Sequence, residues 1–179
     1  SIAKQTRLPD EMVIVDGGST DGTVALMQRL VPNLPFILRV ISSPGLNIAQ
    51  GRNMAIANAA YPVVAVTDAG VFLDPHWLEA LVAPFEGQNS PDVVSGFFSA
   101  APQTHFEAIL GAITLPGLTE IDAASFCPSS RSVAFTRKAW ERVGGYPEWL
   151  DYCEDLIYDF GLYDAGFKFV FVPEALVYF

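Results

Sequence analysis

The chain alternates short apolar stretches with stretches of helical periodicity, and this alternation constrains its fold more than any other feature. "EMVIVD" (residues 11–16) has the composition of a buried strand, and residues 24–31 follow with an amphipathic helical pattern. "FILRVIS" predicts a second strand, and Asn47 is a suitable N-cap for a helix over residues 48–60. Strands and helices in this alternation predict an α/β domain with a mainly parallel sheet and helices on both faces.

The alternation continues to the end of the chain. Further strands are predicted at residues 63–67, 92–98 and 132–136 and at "KFVFV" and "ALVYF", with helices at 75–85, 137–143 and 153–165. Residues 100–131, rich in Pro, Ser and Gly, follow no clear pattern. Ligands of such sheets bind beyond the carboxyl ends of the strands, which is where Asp16 and Asp68 fall.

Composition narrows the class of protein. A chain of 179 residues that is 51% hydrophobic predicts one domain, residues 1–179, with a core of its own. No apolar run approaches the roughly eighteen residues that a membrane span needs, so no such span is predicted. The net charge of −10 argues against nucleic-acid binding. An anionic ligand would therefore need a local cation, either a bound metal or an arginine such as Arg52 or Arg131.

Two strand ends carry candidate ligand contacts. In "VDGGSTDGT", Gly17 and Gly18 permit a tight turn and close approach of the backbone to a ligand, although an ordinary strand-to-helix turn explains them equally well. The stretch has neither the dinucleotide-binding spacing nor a P-loop lysine. In "TDAG", Asp68 could bind Mg²⁺ or Mn²⁺ together with substrate phosphates, or could simply form a turn.

The segment "EWLDYCEDLIYDF" supplies candidate catalytic carboxylates. Asp151 and Glu154 have capping-box spacing, which gives Glu154 a structural role. Asp155 lies one helical turn from Asp159, and at a helix start in a cleft it would suit a general base; a solvated helical face is the alternative. Trp149 and Tyr146 could stack on a sugar or belong to the core. The apolar stripe expected to face the core is Leu156, Phe160 and Tyr163.

In order and spacing, these motifs resemble the family 2 inverting glycosyltransferases of the GT-A fold. The matching stretches are "VDGGSTDGT" (15–23), "GRNMAI" (51–56), "TDAG" (67–70), "VGGYPEW" (143–149) and "EDLIYDFGLYDAGF" (154–167). The resemblance implies a Rossmann-like GT-A domain that transfers a sugar from a nucleotide-diphosphate donor to a hydroxyl acceptor with inversion. The expected acceptor is a glycan or a lipid-linked molecule. The protein itself is expected in the cytoplasm, with a peripheral position at the inner face of the membrane as a further option.

The resemblance also assigns residue roles. Asp155, in the Glu154–Asp155 pair, matches the catalytic base, and Asp16 with the adjoining Gly17 matches the contact to the donor nucleoside. Arg52 sits where the family places an arginine near the nucleotide. Asp68 matches the first Asp of Asp-x-Asp, beside the ribose and the metal-bound diphosphate, so it is the expected ligand of Mg²⁺ or Mn²⁺. Trp149 and Tyr146 remain the expected acceptor contacts.

The sequence departs from the family pattern at three glycines and at its start. Gly17 and Gly70 replace aspartates, and Gly161 replaces a frequent arginine. Gly17, Gly70 and the apparent loss of the first strand favour the alternative, a non-catalytic module that binds a nucleotide sugar or a glycan. "SIAKQT" resembles the end of the family's first helix, which implies that the first strand, normally central in the sheet, is missing. We therefore expect either that another segment or another chain fills this slot in the sheet, or that the fold is visibly compromised there. The family usually continues beyond the last strand into acceptor-binding or membrane-associating segments.

Overall fold

The computed structural model describes residues 1–179. It contains seven strands and six α-helices that alternate largely as predicted. The two longest helices have 11 residues each, and none of the helices combines the length and apolar character that crossing a membrane requires. The elements are β1 (Glu11–Asp16), α1 (Thr23–Leu30), β2 (Ile37–Ser42), α2 (Ile48–Asn58), β3 (Val63–Val66), β4 (Phe72–Leu73), α3 (Trp77–Val82), β5 (Val93–Ser99), α4 (His105–Thr114), β6 (Val133–Thr136), α5 (Arg137–Val143), α6 (Glu154–Asp164) and β7 (Phe169–Tyr178).

A five-stranded sheet in the order β3-β6-β5-β7-β4 carries both hydrophobic cores. Successive side chains of a strand point to opposite faces, so Val93 joins one core and Val94 the other. The first core lies between the sheet and α2, α5 and α6, and the second lies between the sheet and α3. Helices therefore cover both faces, as the sequence predicts.

The pairing of the strands is more mixed than the predicted mainly parallel sheet. β3, β5 and β7 run in one direction, whereas β6 and β4 run antiparallel to their neighbours. The reason for β6 lies in the connection from β5. Helix α4 buries none of its residues, so it does not pack on the sheet as a crossover helix would. The chain stays at the edge where β5 ends, and β6 runs back from there.

The predicted break in the sheet is present. β1 and β2 form a separate parallel pair, and a cleft of about 1010 Å³ separates β1 from β3. Its walls include Val13 and Val15 of β1 and Val64 and Val66 of β3. Neither β1 nor β3 has a strand partner on the cleft side. Helix α2 joins the two parts, because it packs on β1 while Ala49 and Ile56 belong to the first core.

Hydrogen exchange should report the open edge of β3. The amide of Arg137 donates to the carbonyl of Pro62 (2.8 Å), so these two opposite residues form a hydrogen-bonded pair. Hydrogen-bonded and non-hydrogen-bonded pairs alternate along an antiparallel ladder. Val63 and Ala65 therefore belong to non-hydrogen-bonded pairs, and their amides point into the cleft. We expect these two amides to exchange with solvent much faster than that of Val94, whose strand is paired on both sides. Residue-resolved exchange in dilute protein measures this.

The same experiment tests the predicted filling of the slot. Protection of Val63 and Ala65 that grows with protein concentration would indicate strand exchange with a second copy. Protection equal to that of Val94 in dilute protein would contradict an open edge.

Candidate functional site

Several segments meet at the edge where β1 and β3 end. Asp16 is the last residue of β1, and Asp68 follows the end of β3 by two residues. Because β6 runs antiparallel to β3, the residues just before β6 lie at the same edge. Arg52 connects the start of α6 to this edge. We take this edge as the candidate functional site.

Arg52 holds two carboxylates from different elements. Its Nη2 donates to Oδ1 of Asp68 (2.6 Å), and its Nη1 donates to Oε1 of Glu154. The side chains of Arg52 and Glu154 are only 11% and 8% exposed. Burial alone would lower the pKa of Arg52, but the hydrogen bond and charge of Asp68 outweigh it and raise that pKa. The guanidinium thus fixes α2, the end of β3 and the start of α6 relative to one another.

Asp155 follows Glu154 at the start of α6, and no cation pairs with it. Its Oδ1 accepts the amide of Leu156 (3.0 Å), and its Oδ2 accepts the amide of Ser130 at a long 3.5 Å. It forms no salt bridge within 4.0 Å, and it is partly exposed. A carboxylate with an accessible, weakly occupied oxygen is able to accept a proton from a ligand.

Asp16 organises the turn after β1. Its Oδ2 accepts the amides of Gly18 and Ser19, both at 3.0 Å. Hydrogen bonds from Ser19, against an opposing cost of burial, lower the pKa of Asp16, so the group stays ionised. Gly18 has φ +115°, and a Cβ there would approach Pro44 at 3.3 Å, which explains the glycine. One carboxylate oxygen of Asp16 remains free for a ligand.

The loop before α6 is anchored by Asn53, a residue that the sequence analysis did not single out. Asn53 Oδ1 accepts the amide of Tyr146 (2.9 Å) and the indole N–H of Trp140 (3.1 Å). The prediction that Tyr146 binds the acceptor is wrong, because its ring is 2% exposed and stacks on Tyr158 at 4.2 Å. Trp149 is 77% exposed in the same loop and stays a candidate acceptor contact.

Comparison with known families decides what kind of chain carries this site. The sequence model described as glycosyl transferase family 2 matches residues 1–122, which is more than half of the chain. The chain belongs to this family. The motif-based prediction of family 2 is therefore confirmed.

Individual proteins agree with the family assignment. The O-antigen chain rhamnosyltransferase WbaN of Salmonella anatum is 27% identical over 187 aligned positions, covering 97% of this chain and 58% of WbaN. The structure of S. aureus TarS 1-349 in complex with UDP-GlcNAc gives a TM-score of 0.76 at 17% identity, covering 99% of this chain and 52% of that one. Mannosyltransferase PcManGT from Pyrobaculum calidifontis, in complex with GDP-Man and Mn²⁺, gives 0.74 at 22% identity, covering 99% and 50%.

These similarities define what the family 2 chain shares with its relatives. The solved structures confirm the predicted α/β GT-A fold. The chain spans less than two thirds of WbaN and about half of each solved chain.

The residues of the family 2 chain fit a divalent metal only in part. Oδ1 of Asp68 is bound to Arg52, and Oδ2 forms no hydrogen bond. Gly70 offers no second carboxylate, and the chain has no group of three or more His, Cys, Asp or Glu side chains arranged to hold a metal ion. Mg²⁺ and Mn²⁺ are commonly held by one or two carboxylates when substrate phosphates complete the shell. Asp68 thus suits a metal that arrives with a phosphate ligand.

Two predictions about α6 are wrong. Cys153, with φ +60°, is the N-cap residue and makes no capping hydrogen bond, so Asp151 and Glu154 do not form a capping box. Glu154 is instead drawn to the charge of Arg52. The predicted core stripe is misplaced at two of its three positions: Leu156 and Phe160 are exposed, whereas Tyr163 is half-buried and stacks on Phe169. The buried face consists of Glu154, Tyr158, Asp159 and Leu162, since Tyr158 stacks on Tyr146 and packs on Phe135.

Asp159 is a carboxyl whose burial the sequence analysis did not predict. It is 2% exposed, its Oδ2 has no hydrogen-bond partner, and the hydroxyl of the adjacent Tyr158 also lacks one. Burial, together with the charge of Asp155, raises the pKa of Asp159 to about 8. The signal in the sequence was its position four residues after Asp155, a spacing at which like charges repel.

The raised pKa of Asp159 predicts a pH dependence of stability. The pKa of an Asp in an unfolded chain is about 4. Between about pH 4 and about pH 8 the folded state therefore binds a proton at Asp159 that the unfolded state does not bind. The contribution of Asp159 is complete below about pH 4 and is lost as the pH rises through 8. We expect urea unfolding to give a lower free energy of unfolding at pH 8 than at pH 5, and Asp159→Asn to remove most of that difference. Equal pH dependence in both proteins would contradict the assignment.

Proposed function

We propose that this chain is the sugar-transferring domain of a family 2 glycosyltransferase. It moves a sugar from a nucleotide-diphosphate donor to a hydroxyl acceptor, with Asp155 as the general base. The observation that carries the proposal is that the neighbouring carboxylates Glu154 and Asp155 differ in ion pairing. Arg52 neutralises Asp68 and Glu154, whereas Asp155 is ion-paired with nothing. A base must have an accessible oxygen in order to take the acceptor proton, and Asp155 fits this role better than Glu154.

The same difference in ion pairing supports inversion. Retention through a covalent sugar-enzyme intermediate requires a second free carboxylate at the reacting carbon, as in retaining glycosidases. Glu154, the neighbour of Asp155, is 6% exposed and bound to Arg52. A direct displacement is the simpler course: the acceptor oxygen attacks the anomeric carbon as Asp155 removes its proton, and the bond to the diphosphate breaks. One displacement inverts the configuration at that carbon.

The donor is proposed to lie along the edge from Asp16 to Asp68. Asp16, with the turn at Gly17, contacts the nucleoside, and Asp68 lies at the diphosphate. The structures of TarS with UDP-GlcNAc and of PcManGT with GDP-Man and Mn²⁺ support a nucleotide sugar as the ligand class. Oδ2 of Asp68 would hold Mg²⁺ or Mn²⁺, which would stabilise the charge of the departing diphosphate. Arg52 acts here as a positioning residue, since its Nη1 and Nη2 groups are already bound to Glu154 and Asp68.

The acceptor is proposed to be a hydroxyl of a glycan or of a lipid-linked sugar. The name of WbaN, an O-antigen chain rhamnosyltransferase, supports a growing glycan as the acceptor class. Trp149 offers a flat apolar face near the start of α6, and such faces stack on sugar rings.

A donor assay with an acceptor screen tests the proposal. UDP and GDP would be titrated calorimetrically with and without Mn²⁺ against the wild-type chain and Asp68→Ala. UDP-, GDP- and dTDP-sugars would then be incubated with pools of glycan acceptors, and the anomeric configuration of any product read by NMR. We expect metal-dependent donor binding that Asp68→Ala weakens, and an inverted product. Donor binding without turnover of any donor would favour the alternative, a nucleotide-sugar-binding module.

A further inference from the structure

Two arginines reach the edge of the sheet at which the site lies, and their surroundings differ. Arg52 is fully engaged by Asp68 and Glu154. Arg131 makes no salt bridge, and its only side-chain hydrogen bond is a long one of 3.5 Å to Oγ of Ser129. A guanidinium carries five N–H donors, so most of the donors of Arg131 are uncommitted.

Aromatic rings hold Arg131 in place. Its guanidinium carbon lies 4.3 Å from the ring centre of Phe179 and 6.0 Å from that of Phe98. These rings stand at the ends of β7 and β5, so the charge is fixed at the edge of the sheet. Stacking uses the face of a guanidinium and leaves the N–H groups around its rim free to bind another group.

The main chain that carries Arg131 lies beside the proposed reaction centre. The amide of the preceding residue, Ser130, contacts Asp155 Oδ2 at 3.5 Å. Val66 pairs with Val133 in the β3–β6 ladder, and the same register continued by two residues brings Arg131 level with Asp68. The main chain at Arg131 therefore lies near both carboxylates to which the proposed function gives roles, and its guanidinium extends along the same edge to Phe179 at the end of β7.

The charge balance of the edge calls for such a cation. Asp16, Asp68 and Asp155 all lie there, and the whole chain has a net charge of −10. A diphosphate entering this edge would be repelled unless positive groups met it. The metal proposed at Asp68 would supply one such group, and the charge of Arg52 is already matched by two carboxylates. The planar fork of an arginine suits two phosphate oxygens at once.

We propose that Arg131 is a phosphate-binding residue that holds the diphosphate group of a substrate at the ends of β5 and β7. The proposal rests on the proposed function, which brings a diphosphate to this edge. The shared chemistry is a diphosphate ester, carried either by the nucleotide donor or by a lipid-linked acceptor.

Calorimetric titration of matched variants tests the proposal. The ligands are inorganic pyrophosphate, UDP and GDP, the nucleosides uridine and guanosine, and geranyl diphosphate as a soluble prenyl diphosphate. Arg131→Met removes the charge and keeps an apolar chain against the rings, whereas Arg131→Lys keeps the charge and loses the fork. Arg142→Met, at an exposed position without a salt bridge, is the matched control. Thermal unfolding of each variant verifies that it is folded.

We expect Arg131→Met to weaken pyrophosphate binding at least tenfold, with Arg131→Lys intermediate and Arg142→Met unchanged. Nucleoside affinities should not change in any variant. A tenfold loss for UDP or GDP would assign the donor diphosphate, and a loss confined to geranyl diphosphate and pyrophosphate would assign the acceptor. Equal affinity of wild type and Arg131→Met for every phosphate ligand would overturn the proposal, as would a wild type that binds none of them.

The outcome separates this inference from the proposed function. If UDP or GDP binds and Arg131→Met weakens the binding of no phosphate ligand, the inference fails and the donor site stands. If pyrophosphate binds through Arg131 and the nucleoside part adds no affinity, the inference stands and the proposed nucleotide-sugar donor fails.

Discussion

Replacing Asp155 with asparagine should lower the rate of sugar transfer by a factor of about 10² to 10⁴, the usual effect of losing a general base. Asparagine has nearly the same shape, and its amide cannot take a proton from the acceptor hydroxyl. Because Asp155 forms no salt bridge, donor affinity and the free energy of unfolding should change little. Initial rates at saturating donor and acceptor, beside a urea titration of the same protein, measure the effect.

Glu154→Gln is the matched control, since it alters the neighbouring carboxylate by the same change of atoms. Glu154 is bound to Arg52 and buried, so its loss should act mainly on stability and much less on the chemical step. A transfer rate in Asp155→Asn within a few-fold of wild type would exclude Asp155 as the base.

Replacing Arg52 with methionine should lower the free energy of unfolding by about 3 to 5 kcal/mol, the usual cost of removing one partner from a buried ion pair. The change leaves Glu154, 8% exposed, with an uncompensated charge, and also frees the partly exposed Asp68. Urea unfolding at pH 7 measures the loss.

The chain contains its own control for this prediction. Arg7 pairs with Glu86 at the surface, where the two side chains are 45% and 61% exposed, so Arg7→Met should cost less than about 1 kcal/mol. Adding Glu154→Gln to Arg52→Met should recover part of the loss, since it removes the stranded charge. A loss in Arg52→Met no larger than that in Arg7→Met would show that Arg52 does not hold the site together.

Local features of the fold were predictable from the sequence. The bounds of β1 and α5 agree with their predictions, and Asn47 caps α2 through a reciprocal pair of hydrogen bonds with Gln50. These features depend on neighbouring residues and on periodicity. "KFVFV" and "ALVYF" proved to be one strand, because Pro173 and Glu174 between them extend β7 without a turn.

Features that depend on distant partners were not predictable. Nothing local to "SVAFT" shows that β6 runs antiparallel, because that follows from α4 staying off the sheet. Tyr146 was predicted to face a sugar, and a second tyrosine twelve residues later buries it instead. Arg52 was expected at a nucleotide and is engaged by carboxylates 16 and 102 residues away. In each case the sequence gives the chemistry of a side chain and leaves its partner open.

The cleft between β1 and β3 bears on how a bound donor would change unfolding. No ladder of backbone hydrogen bonds joins the part that carries Asp16 to the part that carries Asp68, so the two are able to open separately. A nucleotide that touches both would act as a non-covalent cross-link and stabilise only the state in which both parts are closed. Saturating donor should therefore sharpen the unfolding transition as well as raise its midpoint, since two loosely coupled transitions merge into one.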